Sequence, residues 1–341
     1  MPKIENPQTS PTRETQPDPD FEAMVRMFDR KPRNAITVTY SELDAFRQCP
    51  LKHQWSYVDK YRNDPGEGSA LSRGSLWHRV MEAHYLLLQD HPEWDEETPA
   101  RFKQFMLQHI LTDEAGGQSE DQELIEWMYD GYLEMYGPDS QWEPILVEQA
   151  GEVRLRTPDG KPTKFFLRFK IDMVARDRHT GALWLFDHKS ASMFGRDTEI
   201  ELDDQFRLYT WALRQLGVPI HGVIRSDART KRNKGPMELE NRFRRVLTFC
   251  SDLEADNVAQ DALQAAKAAY LPNRPVYPSP APDRCSWRCN YREPCIARRK
   301  GLGTSEQLMK DFQFFQTSDK HREYALDPVA EGIRDGDLTL D

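Results

Sequence analysis

The sequence predicts an α/β protein in which a central mixed β-sheet is flanked by helices. Two runs rich in β-branched and aromatic residues, FFLRFKIDMVA at 165–175 and ALWLFDHK at 182–189, indicate strands joined by a turn at Gly181. Amphipathic helical patterns lie on both sides of these strands, at 74–88 and 203–216. With 341 residues, the chain can bury a sizeable core in one large domain or two small ones.

The two predicted strands present the residues of a candidate active site. Asp172 lies in the first strand and Asp187 in the second, and side chains alternate along a strand, so Lys189 shares the face of Asp187. Two carboxylates and one ammonium suit metal-assisted hydrolysis. Carboxylate oxygens hold Mg²⁺ or Mn²⁺, the metal lowers the pKa of a bound water, and the lysine orients or deprotonates that water. Taken alone, these three residues are also compatible with a solvated edge and a surface ion pair.

The N-terminal half is predicted to be largely helical. Residues 1–34 indicate a disordered segment with one amphipathic turn at FEAMVRMFD. A helix starts in the ITVTYSELDAFRQCP stretch and is interrupted by Pro50. His78 lies beside the apolar face of the helix at 74–88 and is either a packed core residue or a metal ligand. Residues 90–143 indicate an acidic insertion of two more helices.

Two elements flank the predicted hairpin. Residues 145–155 indicate a strand entering the central sheet, and its Glu148 is a candidate for a position next to a metal or for a surface salt bridge. Gln205 and Tyr209 are four residues apart and therefore share one face of the helix at 203–216.

The charge distribution suggests a basic channel in an acidic protein. The net charge is −10, but residues 90–143 and 301–341 hold enough acids to leave the remainder at +8. Base-rich stretches occur at 225–245 and 284–300, and phosphate contacts supply most sequence-independent affinity for nucleic acids. Solvated loops are the alternative explanation. The candidate DNA contacts are Arg225, Arg229, Lys231, Arg232, Lys234, Arg284, Arg288 and Arg292.

Four of the five cysteines indicate a metal centre. Cys285, Cys289 and Cys295 form a C-x3-C-x5-C pattern, and Cys49 lies far upstream. A disulfide framework is not expected in a chain this long that opens with no export signal. Zinc and iron–sulfur clusters both take four thiolates, and spacing alone does not decide between them. Cys250 is interpreted as a small buried residue.

The order of these motifs resembles the PD-(D/E)xK nuclease superfamily, and within it the Cas4-like and RecB/AddB-like exonucleases, many with an iron–sulfur cluster. The resemblance covers about residues 36–300 and includes S-x-L-x-x-F-x-x-C-P around Cys49. Two positions depart from the family pattern. Phe169 stands where relatives often have Gly, and three residues separate Cys285 from Cys289 where two are usual.

The resemblance implies a restriction-endonuclease-like core and a role for each motif. The core would span 35–245, a C-terminal cluster segment at 246–300 would close on Cys49, and an acidic tail would follow at 301–341. Lys189 would activate the attacking water, while Gln205 and Tyr209 would position the nucleic-acid backbone. The implied ligands of Mg²⁺ or Mn²⁺ are His78, Asp172, Asp187 and the carbonyl of His188. The implied ligands of a [4Fe–4S] cluster, with Zn²⁺ as the alternative occupant, are Cys49, Cys285, Cys289 and Cys295.

The implied activity is DNA exonuclease action on single-stranded ends, in recombination, repair, viral genome processing or CRISPR adaptation. No G-x-x-x-x-G-K-[ST] loop occurs, so the nuclease would be free-standing or a subunit that works with a helicase or recombination partner. A catalytically inactive iron–sulfur DNA-binding or scaffold subunit and a structure-specific endonuclease are the alternatives. With no leader and no apolar run of roughly 18 residues, a cytoplasmic, non-membrane protein is expected.

Overall fold

The structure, a computed structural model, describes residues 20–26, 31–63, 70–112, 121–232, 235, 237–287, 289–321 and 327–339. In these ranges no helix is long and apolar enough to cross a membrane. The strands are β1 Ile36–Val38, β2 Tyr61–Arg62, β3 Trp142–Val147, β4 Ala150–Arg156, β5 Pro162–Lys170, β6 Met173–Asp177, β7 Leu183–Ala191, β8 Ile220–Arg229, β9 Phe243–Phe249 and β10 Phe315–Gln316. The helices are α1 Phe21–Arg26, α2 Tyr40–Gln48, α3 Pro50–His53, α4 Ala70–Asp90, α5 Thr98–His109, α6 Gln122–Tyr136, α7 Asp197–Glu201, α8 Asp204–Gln215, α9 Asp252–Ala269, α10 Pro282–Trp287, α11 Arg292–Arg299, α12 Ser305–Asp311 and α13 Pro328–Arg334.

A five-stranded mixed sheet in the order β3-β6-β7-β8-β9 forms the centre of the molecule. The β7–β8 pair is parallel, and the other neighbouring pairs are antiparallel. Its strands are buried on both faces, because Leu185 of β7 packs into one core and the adjacent Phe186 into another. This arrangement confirms the predicted α/β fold with a central mixed sheet flanked by helices.

Helices cover both faces of the sheet. On one side α8 and α9 pack against β7 and β8 together with strands of a smaller sheet. On the other side α4, α5 and α6 form the second core with α13. The predicted helices of the acidic insertion correspond to α5 and α6, and the loop between them lies outside the described residues.

A smaller sheet has three strands in the order β1-β5-β4. Because of this second sheet, two of the strands predicted from the sequence are wrong as single strands. Residues 145–155 form β3 and β4, and residues 165–175 belong to β5 and β6, so each predicted strand divides between the two sheets. The apolar run continues through the buried Ile171 at the break. Hydrophobic periodicity therefore gives no sign that the chain changes sheets there.

The C-terminal part adds helices that close the fold. Helix α9 begins with a capping box formed by Ser251 and Glu254 and buries an alanine-rich face against α2 and α8. Strands β2 and β10 pair antiparallel. Next to them lies a third, small core formed by Leu51, Trp55, Tyr291, Met309 and Phe314. At the other end of the chain, α1 lies in the predicted amphipathic turn, while residues 1–19 and 27–30 lie outside the described residues.

Candidate functional site

Strands β3 and β4 pair with β6 and β5 to form one bent antiparallel ribbon that passes from one sheet to the other. Two acids, Glu148 and Asp172, lie at the bend. The antiparallel pair β3–β6 continues into the antiparallel pair β4–β5, with the bend at Glu148 and Gln149 on one strand and Ile171 and Asp172 on the other. The Glu148 amide donates to the Asp172 carbonyl (2.7 Å), and the Ile171 amide donates to the Gln149 carbonyl (3.1 Å). Glu148 has a φ of 46°, a left-handed conformation that costs energy for a non-glycine residue. Asp172 thus lies at the junction of two strands.

Helix α4 brings a histidine to this bend. The Nδ1 atom of His78 lies 3.5 Å from Asp172 Oδ2 and 3.8 Å from Glu148 Oε1. These three residues offer ligand atoms that all lie within 4.8 Å of one another, and no other group of three potential ligands does so in the described ranges. Glu148 therefore belongs to the site itself. The sequence predicts either a position next to a metal or a surface salt bridge for Glu148, which is buried and also pairs with Lys170 at 2.7 Å.

Strand β7 supplies the remaining acid and the lysine. The His188 amide donates to Asp172 Oδ2 (2.6 Å), which joins the ribbon bend to β7. Lys189 Nζ lies 2.8 Å from Asp187 Oδ1, while Asp187 Oδ2 is buried and has no hydrogen-bond partner among the described residues. A buried carboxylate oxygen without a partner is costly and suits a site that takes a cation.

Crowded charges shift the titration of the site. Burial and the charges of Asp187 and Glu148 raise the pKa of Asp172 to about 7, against the opposing effect of His78. Burial would lower the pKa of His78, but Asp172 and Glu148 outweigh it and raise that pKa to about 9. Burial likewise opposes the charged form of Lys189, yet Asp187 and Asp172 raise its pKa. The ion-free site therefore retains protons that a divalent cation can replace.

Two acids near the site were missed by sequence reasoning. Glu82 is buried one helical turn after His78 on α4, and burial together with the charge of Glu148 raises its pKa to about 7. Asp203 caps α8, and burial raises its pKa with a further contribution from the charge of Asp187. The spacing of four between His78 and Glu82 was a signal in the sequence.

Gln205 and Tyr209 both lie on α8 but in different surroundings. Gln205 is half-buried in the first turn, where its backbone N–H donates to Asp203 Oδ1 (2.9 Å). Tyr209 is buried in the core, with its ring centroid 5.8 Å from that of Phe169. Phe169, which replaces the family glycine, thus packs against the helix that carries both residues.

Those predicted basic residues that the structure describes have different surroundings. Arg225 is held by Asp227 at 2.7 Å, and the Arg229 side chain donates to the Ser192 carbonyl. Arg232 lies over the ring of Trp127 in the acidic insertion, so part of this patch contacts the insertion. Lys231, Arg284 and Arg292 are exposed, whereas Lys234 and Arg288 lie outside the described residues.

The four predicted ligand cysteines line one cavity of about 330 Å³, called here the cysteine cavity: Cys49, Cys285, Cys289 and Cys295. Backbone amides donate to two of the sulfurs. The amides of Lys52 and Ser279 lie 3.5 and 3.4 Å from Cys49 Sγ, and the amide of Ala281 lies 3.4 Å from Cys285 Sγ. Cys250 is buried in a separate core, as predicted.

The chain matches a family model described as the PD-(D/E)XK nuclease superfamily over residues 37–296. A solved structure named a candidate exonuclease, from Eubacterium rectale, is 12% identical with a TM-score of 0.40, covering 75% of this chain and 86% of that chain. The solved structure of SSO0001 is 13% identical with a TM-score of 0.26, covering 56% and 87%. No curated protein matches the chain. The family match, however, spans most of the chain, which therefore belongs to the PD-(D/E)XK nuclease superfamily.

Proposed function

We propose that this chain is a metal-dependent exonuclease that hydrolyses phosphodiester bonds at single-stranded DNA ends. The observation that carries the proposal is the convergence of His78, Glu148 and Asp172 at the ribbon bend, joined to the β7 strand that holds Asp187 and Lys189. Membership in a nuclease superfamily supplies the reaction class. The finer assignment to Cas4-like and RecB/AddB-like exonucleases, acting in recombination, repair, viral genome processing or CRISPR adaptation, rests on the order of the sequence motifs.

The donor set fits a divalent cation. Mg²⁺ or Mn²⁺ would be held by His78, Asp172, Asp187 and the His188 carbonyl, and the geometry supports adding Glu148. Such an ion would also give the buried Asp187 Oδ2 a partner. The imidazole nitrogen favours Mn²⁺ over Mg²⁺, because nitrogen donors suit transition metals better. Once bound, the cation would lower the pKa of the attacking water and neutralise charge on the phosphate.

Lys189 would orient the water and the phosphate as a charged donor. Its pKa is raised, so the ammonium stays protonated at neutral pH, and Asp187 fixes its position. Gln205, in the half-buried first turn of α8, would contact the nucleic-acid backbone. Tyr209 is buried, so its contribution would be to hold α8, and through it Gln205, in place.

We propose that the cysteine cavity binds a [4Fe–4S] cluster with a structural role. The four thiols line one cavity, which supports a site with four thiolate ligands, and Zn²⁺ is the alternative occupant. The amides that donate to Cys49 and Cys285 would stabilise their thiolates. The cluster would fasten the 246–300 segment to Cys49 and so complete the domain built on 35–245.

The activity is tested with end-labelled linear single-stranded DNA and Mn²⁺, using anaerobically purified wild type and Lys189→Ala. Wild type should degrade the strand, and the variant should lose most of the rate while keeping the absorption of its cluster. Lys161→Ala is a matched control, because Lys161 pairs with Asp159 at 2.7 Å but is exposed and lies on the β4–β5 turn. Its rate should equal that of wild type.

A circular single strand distinguishes the mode of attack. An exonuclease leaves the circle intact, so cleavage of the circle would replace the proposal with an endonuclease. Binding without cleavage in either metal would instead favour the inactive DNA-binding or scaffold subunit.

A further inference from the structure

Helix α13, near the C-terminal end of the described chain, packs against the helix that carries His78. Asp327 caps α13 by accepting from the amides of Val329 (2.9 Å) and Ala330 (3.4 Å). Ala330 and Ile333 are buried in the core that α4 shares with the central sheet. Apolar packing of these two side chains therefore already holds α13 against α4, in addition to any contact of its charged groups.

Two ion pairs fasten α13 to α4 close to His78. Arg79 Nε lies 2.6 Å from Asp327 Oδ2, and an Arg334 guanidinium nitrogen lies 3.1 Å from Glu82 Oε1. Arg79 follows His78 directly, and Glu82 lies one turn further along α4. The two ends of α13 therefore contact the same turn of helix that presents the imidazole.

Arg334 has a second contact, on the other side of the site. The guanidinium nitrogen that reaches Glu82 also donates to the Val147 carbonyl at 3.0 Å. Val147 immediately precedes Glu148, whose left-handed backbone turns its carboxylate toward His78 and Asp172. The Arg334 side chain thus joins Glu82 on helix α4 to Val147, the last residue of β3 before the bend.

The charges around this contact are balanced in pairs. Glu148 and Glu82 are both buried. Lys170 Nζ lies 2.7 Å from Glu148 Oε2, and Arg334 is the cation bound to Glu82. Without Arg334, the Val147 carbonyl would lose its donor, and Glu82 would lose the cation that ties helix α4 to the end of β3. Both effects favour displacement of Glu148.

We propose that Arg334 is a positioning residue of the metal site. It holds the Val147 carbonyl and the Glu82 carboxylate, and thereby keeps Glu148 directed at the ion-binding position beside His78 and Asp172. The inference rests on the metal site of the proposed function and adds to it a residue more than a hundred positions away from every proposed metal ligand.

The test is direct measurement of Mn²⁺ binding by calorimetry on the full chain, with folding checked by circular dichroism. Arg334→Gln should weaken Mn²⁺ binding about 10–100-fold, the range typical for groups that orient metal ligands. Arg334→Lys should recover part of that loss, because its ammonium can still serve one of the two acceptors. Asp327→Asn is the control. It loosens the other end of α13, so it should lower the melting temperature and leave the Mn²⁺ dissociation constant within twofold of wild type.

Three outcomes separate the possibilities. If Arg334→Gln binds Mn²⁺ as tightly as wild type, Arg334 does not position the site. If Asp327→Asn weakens binding as much as Arg334→Gln, α13 is only a structural brace, and the assignment to Arg334 fails. If wild type binds no Mn²⁺ at all, the proposed metal site itself is wrong, and the inference falls with it.

Discussion

The amide of Glu148 donates a 2.7 Å hydrogen bond to the carbonyl of Asp172, so the backbone itself holds the two acids together. The bond lies where the paired strands leave the five-stranded sheet for the three-stranded one. Because the ribbon bends there, both carboxylates are directed at the same point as His78. This arrangement crowds negative charges together. The effect of that crowding on stability can be measured in the ion-free protein.

Asp172→Asn should stabilise the ion-free protein as the pH rises. In the unfolded chain the carboxyl ionises near its usual 3.8, whereas the folded pKa is about 7. The folded state therefore binds more protons between these values, and wild type loses stability relative to the variant as the pH increases from 4 to 7. In chelator at pH 8 we expect a melting temperature at least about 2 °C above wild type. The stabilisation of wild type by Mn²⁺ should disappear in the variant.

Asp177→Asn is the matched control for this substitution. Asp177 ends β6 and is half-buried, and hydrogen bonds from Thr180 and His179 in the following turn lower its pKa, so removal of its charge should bring no gain in stability. Equal stability of Asp172→Asn and wild type at pH 8 would mean that the ribbon bend does not strain the carboxylate.

Asp139→Asn should destabilise the protein strongly. The buried Asp139 accepts hydrogen bonds from Tyr85 (2.8 Å) and Tyr132 (2.6 Å) and pairs with Arg245. Tyr85 in turn stacks on His188 of β7, so this network packs against the strand that carries Asp187 and Lys189. Removal of one charge leaves the other buried and unpaired, which costs about 3–5 kcal/mol in urea unfolding. Asparagine tolerates the φ of 63° at this position, so backbone strain does not explain the loss.

The exposed pair of Asp252 and Arg214 serves as the comparison. Its nitrogen–oxygen distance is 2.8 Å, and the Asp252 side chain is 90% exposed. Asp252→Asn should therefore cost less than about 1 kcal/mol. Similar losses for both variants would contradict the buried role of Asp139.

Glu42→Gln should remove part of the acid sensitivity of the fold. Glu42 is fully buried, with His321 at 2.9 Å, His53 at 3.2 Å and Lys320 at 3.0 Å. Burial acts to raise its pKa, but these partners lower it well below the usual 4.5. A depressed pKa contributes stability above pH 4.5 that is lost as the pH falls. The variant should be less stable at pH 7 and lose less on acidification, and parallel stability curves would refute this account.

Cys289→Ala should lose the visible absorption of the proposed cluster and lower the melting temperature. The reason is that Cys289 lines the cysteine cavity with the three other thiols, and a missing ligand opens the proposed cluster to loss. Cys250→Ala is the control, because Cys250 is buried in another core and should leave the spectrum unchanged. Full retention of absorption and stability in Cys289→Ala would remove Cys289 from the site.

The elements of the central sheet could be predicted because their signals are local. The apolar run before Asp187 indicates a buried strand, and the apolar repeat after Asp203 indicates helix α8. The separation of the two sheets could not be predicted, since the bend depends on the backbone at Glu148 and on hydrogen bonds between distant strands.

The candidate site, too, could be predicted only in part. The motif order indicated His78, Asp172, Asp187 and Lys189, whose roles stay predictions until activity is measured. The pair of Glu82 and Arg334 could not be predicted, because 252 residues separate the two and only tertiary packing brings them together. A single acid or arginine in an amphipathic helix resembles any solvated residue.

The contact of Arg334 with the Val147 carbonyl also has a consequence for biosynthesis. A ribosome that has just added Lys189 still has to add about 145 residues to reach and include Arg334, which takes roughly 7–30 s at 5–20 residues per second. During that interval the nascent chain contains every proposed metal ligand but lacks the arginine that holds the strand leading to Glu148. The proposed metal site would thus be completed only after translation has passed Arg334.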